Sequence, residues 1–239
     1  MLDPNINSAL DEIAFLRSDC LGLIDQTMTL CQPDANGDYP ESFRVLTTPF
    51  LYAVWERCFT TSFGIMLKVL HYRCPTPGVM TSDQAAVWLQ AEPFFASYTD
   101  RMKNTWSTKD SEEAASRKSI KASSYKALVD FIDELFQWRH ASLSKLTDTT
   151  KLVMTFSNVN CAVLQANAEA IGLVSLPEFV NFHNAIGRLE DLVGRRNDIA
   201  HGTLARPPGN RTFKELLDLT REQLITQFCE IVQLWIAAI

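Results

Sequence analysis

Apolar residues recur at steps of three and four over long stretches of this chain, and only nine Gly and ten Pro interrupt 239 residues. That period is the one-sided pattern of a helix, whereas a strand would alternate, so the sequence predicts an all-α protein and not a sandwich or barrel. The first helix is expected from about Asn7 to Cys31, stopped by the turn-rich run Gln32-Pro33-Asp34-Ala35-Asn36-Gly37-Asp38. A second runs from about Ser42 to Arg73 and ends at Cys74-Pro75-Thr76-Pro77-Gly78. A third starts near Ser82 and is interrupted or kinked at Pro93. The polar, densely charged stretch from Thr105 to Ser124 reads as a solvated connection, after which Tyr125 to Ser142 resumes an amphipathic helix. Three further helices are expected at about Val159 to Ile171, Pro177 to His201 and Phe213 to Ala238, the last two parted by Arg206-Pro207-Pro208-Gly209-Asn210. We take 1–239 as a single bundle-like domain with about 81–150 as a helical insert or extension.

Two apolar stripes each contain one charge. Along Pro177 to His201 the stripe is Ile186, Leu189, Val193, Arg196 and Ala200; along the second helix it is Tyr52, Glu56, Phe59, Phe63, Met66 and Leu70. A charge on a packed face is costly unless paired, so Glu56 is the expected partner of Arg196. The planar guanidinium suits that place because it can hold a carboxylate on one edge and a phosphate on another. Asn197 and His201, four apart, share a helix face, while Arg196 and His201, five apart, are separated by about 140° on a regular helix. Gly202 is a ready C-terminal cap that places the imidazole at a helix end, where the backbone can bend toward the arginine.

Composition narrows the setting. At 46% hydrophobic residues the chain can bury a sizeable core, which argues against disorder. The N-terminus lacks the basic start and apolar run of a secretory signal, and no apolar stretch has the length of a membrane span, so a cytoplasmic protein without a membrane partner is expected. The six cysteines lie far apart, without zinc-like spacing, and read as buried thiols; no metal or other cofactor is expected. Trp55, Trp88, Trp106, Trp138 and Trp235 read as core or interface anchors. A net charge of −6 counts against a nucleic-acid coat protein. Yet from Arg188 to Arg211 five arginines (Arg188, Arg195, Arg196, Arg206, Arg211) face three acids, so Arg188, Arg195, Arg206 and Arg211 are candidate RNA-binding residues.

The run Arg196-Asn197-Asp198-Ile199-Ala200-His201, closed by Gly202, resembles the Rx4-6H signature of the HEPN superfamily, whose members are helical ribonucleases and nucleotide-binding modules. The resemblance extends to Ser157-Asn158-Val159-Asn160, Ile171-Gly172-Leu173 and Leu192-Val193-Gly194-Arg195, and to a helix carrying Tyr52-Ala53-Val54-Trp55-Glu56. It is similar to a bacterial branch of defence-type proteins. Where the toxins of that superfamily modified by nucleotidyltransferases carry a Tyr two residues after the motif His, this chain has Thr203, so modification of that kind is not expected.

The resemblance implies a HEPN-like helical bundle and a metal-independent endoribonuclease with Arg196, Asn197 and His201 as its catalytic residues and Glu56 in support. It further implies an RNA substrate, a homodimer whose motif helices face one cleft, and a role as toxin or anti-phage effector with an antitoxin or operon partner. The alternative is a non-catalytic nucleotide-binding or protein-interaction module of such an operon, in which Arg196 is tied into an ion pair and His201 only stabilises a helix end.

Overall fold

The computed structural model describes residues 4–107, 114–141, 149–155, 158–203 and 207–239, with side chains described outside residues 4 and 104–124. The fold is all-α: among the described residues there is no strand. The helices are α1 (Pro4–Thr29), α2 (Glu41–Arg73), α3 (Ser82–Leu89), α4 (Pro93–Ser107), α5 (Ala114–His140), α6 (Cys161–Ile171), α7 (Pro177–Ala185), α8 (Leu189–Ala200), α9 (Asn210–Asp218) and α10 (Phe228–Ala238). The stretch Leu219–Gln227 joins α9 to α10 without a break, as a π-helix. No described helix is long and apolar enough to cross a membrane.

The chain forms two compact units, residues 1–70 with 148–239, and residues 71–147. The second shares residues 81–147 with the insert expected from sequence.

The first unit is organised by α2. From Leu51 to Leu70 its buried residues include Tyr52, Val54, Trp55, Cys58, Phe59, Phe63, Met66 and Leu67, which point around most of the helix and so require neighbours on several sides. Phe228 of α10 fills the centre, its ring centroid 5.4 Å from Trp55, 6.0 Å from Phe63 and 5.7 Å from Phe182 of α7. Two charged positions on α2 meet α1, where Arg57 pairs with Asp19 at 2.6 Å and Lys68 with Glu12 at 3.4 Å. Higher numbers on one helix thus face lower numbers on the other, which makes the two antiparallel. Arg17 to Glu230 at 3.4 Å and Asp25 to Arg221 link α1 to α10 and the π stretch. At Gly64 an added Cβ would stand 2.8 Å from Thr150 Cγ2, so the turn Thr149–Leu152 lies directly against α2 and a larger residue would push the Thr150 methyl aside. The Thr149 hydroxyl fixes that contact by donating to the Gly64 carbonyl at 2.7 Å.

In the second unit α4 and α5 pack through aromatic rings, Tyr98 on Phe131 at 4.4 Å and Phe94 on Phe131 at 5.8 Å. The Trp138 indole donates to Glu92 at 2.9 Å.

Several boundaries differ from the expected ones. The Pro177 to His201 helix is two helices, because the chain turns at Ile186-Gly187-Arg188, with the Leu189 amide donating to the Ile186 carbonyl at 2.8 Å. Ile186 and Leu189 are both fully buried, and the turn lets both reach the core. Helix α5 starts at Ala114 and not at Tyr125, and α4 reaches Ser107, so only residues 108–113 of the expected connection lie outside the described residues. Pro93 opens α4, where its missing N–H costs no helical bond. The last helix starts at Asn210. Of the six cysteines Cys20, Cys58 and Cys229 are buried, with Cys58 and Cys229 sulfurs 3.6 Å apart, but Cys31, Cys74 and Cys161 are half-buried. Trp55, Trp88, Trp138 and Trp235 are buried, and Trp106 lies outside the described side chains.

Because Phe228 touches rings from two other helices, Phe228→Ala should cost about 3–5 kcal/mol of unfolding free energy, the range for a buried phenylalanine truncated in a close-packed core. Urea denaturation checks this; a change below about 1 kcal/mol would show that the cluster is not the core's centre.

Candidate functional site

Helix α8 carries Arg196 and Asn197, and its packing determines where they stand. Leu189, Leu192 and Val193 are buried and hold the first half of the helix to the core, while Arg196 and Asn197 are half-buried and Asp198 and Ala200 exposed. The apolar stripe expected to continue to Ala200 therefore ends at Val193, and the last turn of α8 faces water.

Facing that turn is the segment Asn158-Val159-Asn160, pinned from two sides. Its Val159 amide donates to the Tyr52 hydroxyl at 2.7 Å, and the Trp55 indole donates to the Val159 carbonyl at 3.2 Å. Val159 itself is fully buried, so both halves of its peptide need these partners. Asn160 then caps α6 by accepting from the Val163 amide at 2.9 Å, and the Cys161 amide donates to Glu190 of α8 at 3.0 Å. Burial, reinforced by the Glu190 charge, pushes the Cys161 thiol up to about 11.

Arg196 is held by this frame. Its Nη1 donates to Asn197 Oδ1 at 2.9 Å and to Asn158 Oδ1 at 3.4 Å, and its Cζ lies 5.2 Å from the centre of the Tyr52 ring, in cation–π range. The expected ion pair with Glu56 does not form: among the described residues Arg196 pairs with no carboxylate. The reason is exposure. Both Arg196 and Glu56 are half-buried, so each keeps part of its hydration and the full penalty that would force a pair is absent. Glu56, one turn along α2 from Tyr52, acts through its field. Burial is the main cause that raises the Tyr52 phenol above its ordinary value; the Val159 amide opposes it, the Glu56 charge adds to it and the Arg196 charge opposes it.

His201 ends α8. The Gly202 amide donates to the Ile199 carbonyl at 3.1 Å and the Thr203 amide to the Asp198 carbonyl at 2.9 Å, with Gly202 at φ +66°. These two bonds form a Schellman cap, and glycine is the residue that adopts its left-handed position without strain. Thr203 adds its hydroxyl to the same Asp198 carbonyl at 3.3 Å. The expected bend of His201 toward Arg196 is not made: α8 is regular through Ala200, and His201 keeps right-handed helical backbone angles (φ −91°, ψ 0°). The two residues thus remain about 140° apart around the axis, with His201 exposed.

The remaining candidate cations are committed to acids. Arg188 and Arg211 both hold Glu215, at 2.5 Å and 3.0 Å, and Arg195 holds Asp191 at 2.9 Å. The Arg188 and Arg211 contacts lower the Glu215 carboxyl below its ordinary value. Arg206 lies outside the described residues. Two residues that sequence reasoning did not assign to the site are Tyr52 and Asn158. The signal was a tyrosine in a stripe that is apolar apart from Glu56, since a buried hydroxyl requires a partner.

An all-α chain with an Arg-Asn pair on the last turn of one helix and a capping His after it is HEPN-like. Residues 29–237 match the profile of the family described as RiboL-PSP-HEPN, and the chain belongs to that family. No curated protein and no solved structure matches it.

Tyr52→Phe keeps the ring under Arg196 and removes the acceptor of the buried Val159 amide, so it should cost about 1–3 kcal/mol. The folded phenol titrates above the unfolded one, so its contribution is fully present below about pH 10 and is lost as pH rises through the folded value. Chemical denaturation from pH 8 to pH 11 should show a steeper alkaline loss for wild type than for Tyr52→Phe. Parallel curves would place the Tyr52 hydroxyl in water.

Proposed function

We propose that this protein is a metal-independent endoribonuclease of the Rx4-6H type, in which Arg196 binds the scissile phosphate and His201 transfers protons. The observation that carries this reading is how Arg196 is held. Asn197, Asn158 and Tyr52 fix the guanidinium without neutralising it, both hydrogen bonds use Nη1, and the Nε/Nη2 edge has no partner among the described residues. That edge is the geometry of a bidentate phosphate contact.

A ring nitrogen of His201 accepts the 2′-hydroxyl proton as O2′ attacks phosphorus; the P–O5′ bond breaks, and an imidazolium returns a proton to O5′. The products are a 2′,3′-cyclic phosphate and a 5′-hydroxyl. Arg196 stabilises the charge that builds on the equatorial oxygens, and Asn197 orients Arg196 through its amide oxygen and offers its amide nitrogen to the phosphate. Glu56 supports the site through its charge beside Tyr52.

One chain offers one such imidazole, turned away from its own Arg196. The reading therefore includes a homodimer in which residues 188–202 of two copies line one cleft, bringing His201 of one copy toward Arg196 of the other. The reading also includes a role as toxin or anti-phage effector, restrained by an antitoxin or operon partner. The commitment of Arg188, Arg195 and Arg211 to carboxylates favours the second reading, a non-catalytic nucleotide-binding or interaction module with few cations left for a phosphate chain.

Cleavage of RNA in EDTA separates the two. Wild type should leave cyclic-phosphate ends, and His201→Ala should lose cleavage while its stability changes by no more than about 0.5 kcal/mol, because the imidazole is exposed. Undiminished cleavage by His201→Ala, or none by wild type, supports the second reading.

A further inference from the structure

Helix α5 has two apolar faces, and its partner α4 covers one of them. Ala127, Phe131 and Trp138 lie on the packed side, where Phe131 stacks on Tyr98. Val129, Ile132 and Phe136 are 56%, 39% and 62% exposed, and Tyr125 is 59% exposed. At 100° per residue these four fall within about 60° of arc, roughly opposite the packed side. Steps of four, three and four make this the seam of a helix–helix contact and not scattered surface residues. Leu128, at 39% exposure, borders it.

We propose that this face is a self-association surface, on which α5 of two copies of the chain pack antiparallel about a two-fold axis. The borders of the seam point to a second copy as the occupant. Lys126 and Asp133 lie on one border, two turns apart and opposite in charge. An antiparallel two-fold keeps that border on the same side in both helices and reverses its direction. With Val129 facing the partner's Ile132, and Tyr125 the partner's Phe136, Lys126 comes beside the partner's Asp133, and Asp133 beside the partner's Lys126. The other border brings Leu128 near the partner's Leu135. In a parallel pairing the borders would cross over and set Lys126 and Asp133 beside the partner's Leu128 and Leu135, with no opposite charge to meet, so the sequence of α5 favours the antiparallel arrangement. Three turns of helix make a small interface, and the association is therefore concentration-dependent.

The inference does not rest on the ribonuclease reading, and association is measured without RNA. Sedimentation velocity of the full chain over a range of concentrations should show reversible association. Ile132→Asp should abolish the step that forms this contact and leave a dimer through residues 188–202 in place, with unchanged helix content by circular dichroism, since the side chain it alters is exposed. Lys126→Glu and Asp133→Lys should each weaken that step by roughly three- to tenfold, the scale of exposed ion pairs turned repulsive, and the double reversal should restore it. A wild-type chain that stays monomeric at every concentration would mean that a different protein covers the face, and would overturn the proposal. So would association unaffected by Ile132→Asp, or a double reversal no better than the single ones.

Discussion

The first unit depends on one constraint: between Leu51 and Leu70, α2 is buried over most of its circumference and leaves to water only the strip that carries Ala53, Arg57 and Lys68. A helix apolar on most faces must be surrounded, and α1 and α10 bring Cys20 and Phe228 to meet it, with Phe182 of α7 packed on Phe228. Arg57 and Lys68 on α2 meet Asp19 and Glu12 on α1, pairs too exposed to add much stability but placed to favour one register over another.

Tyr52 turns this packing into a site. Its ring is buried with the rest of the α2 stripe, its hydroxyl takes the Val159 amide, and its ring face lies beneath Arg196. Core, loop and motif helix thus meet on one side chain. A guanidinium held by two amide oxygens and a ring keeps its full charge in a fixed orientation, as phosphate recognition requires. A buried carboxylate would have fixed it as firmly but neutralised it.

Much of this was legible in the sequence, for identifiable reasons. The three- and four-residue periods gave helices at α1, α2, α6 and the C-terminus to within a few residues, and Gly202 announced the cap after His201, because both signals are local. What escaped was set by distant partners. The turn at Ile186-Gly187-Arg188 exists because Ile186 and Leu189 both reach the core, and the apolar period runs straight across it. The Glu56 pairing failed because a stripe drawn on a helical wheel treats Arg196 as buried to the same degree as Val193, whereas α8 leaves the core between them. Asn158 stood within a recognised stretch, but its contact with Arg196 depends on how Tyr52 and Trp55 hold the Val159 peptide across 107 and 104 residues.

The central claim is that Arg196 and His201 serve attack by an internal 2′-hydroxyl. Its most direct test compares two oligoribonucleotides that differ only at the cleaved position, one with a free 2′-hydroxyl and one with a 2′-O-methyl group, by mass spectrometry of the fragments. The account predicts cleavage of the first to a cyclic phosphate and a 5′-hydroxyl, and no cleavage of the second at that bond. Equal cleavage of both, leaving a 5′-phosphate, would contradict it.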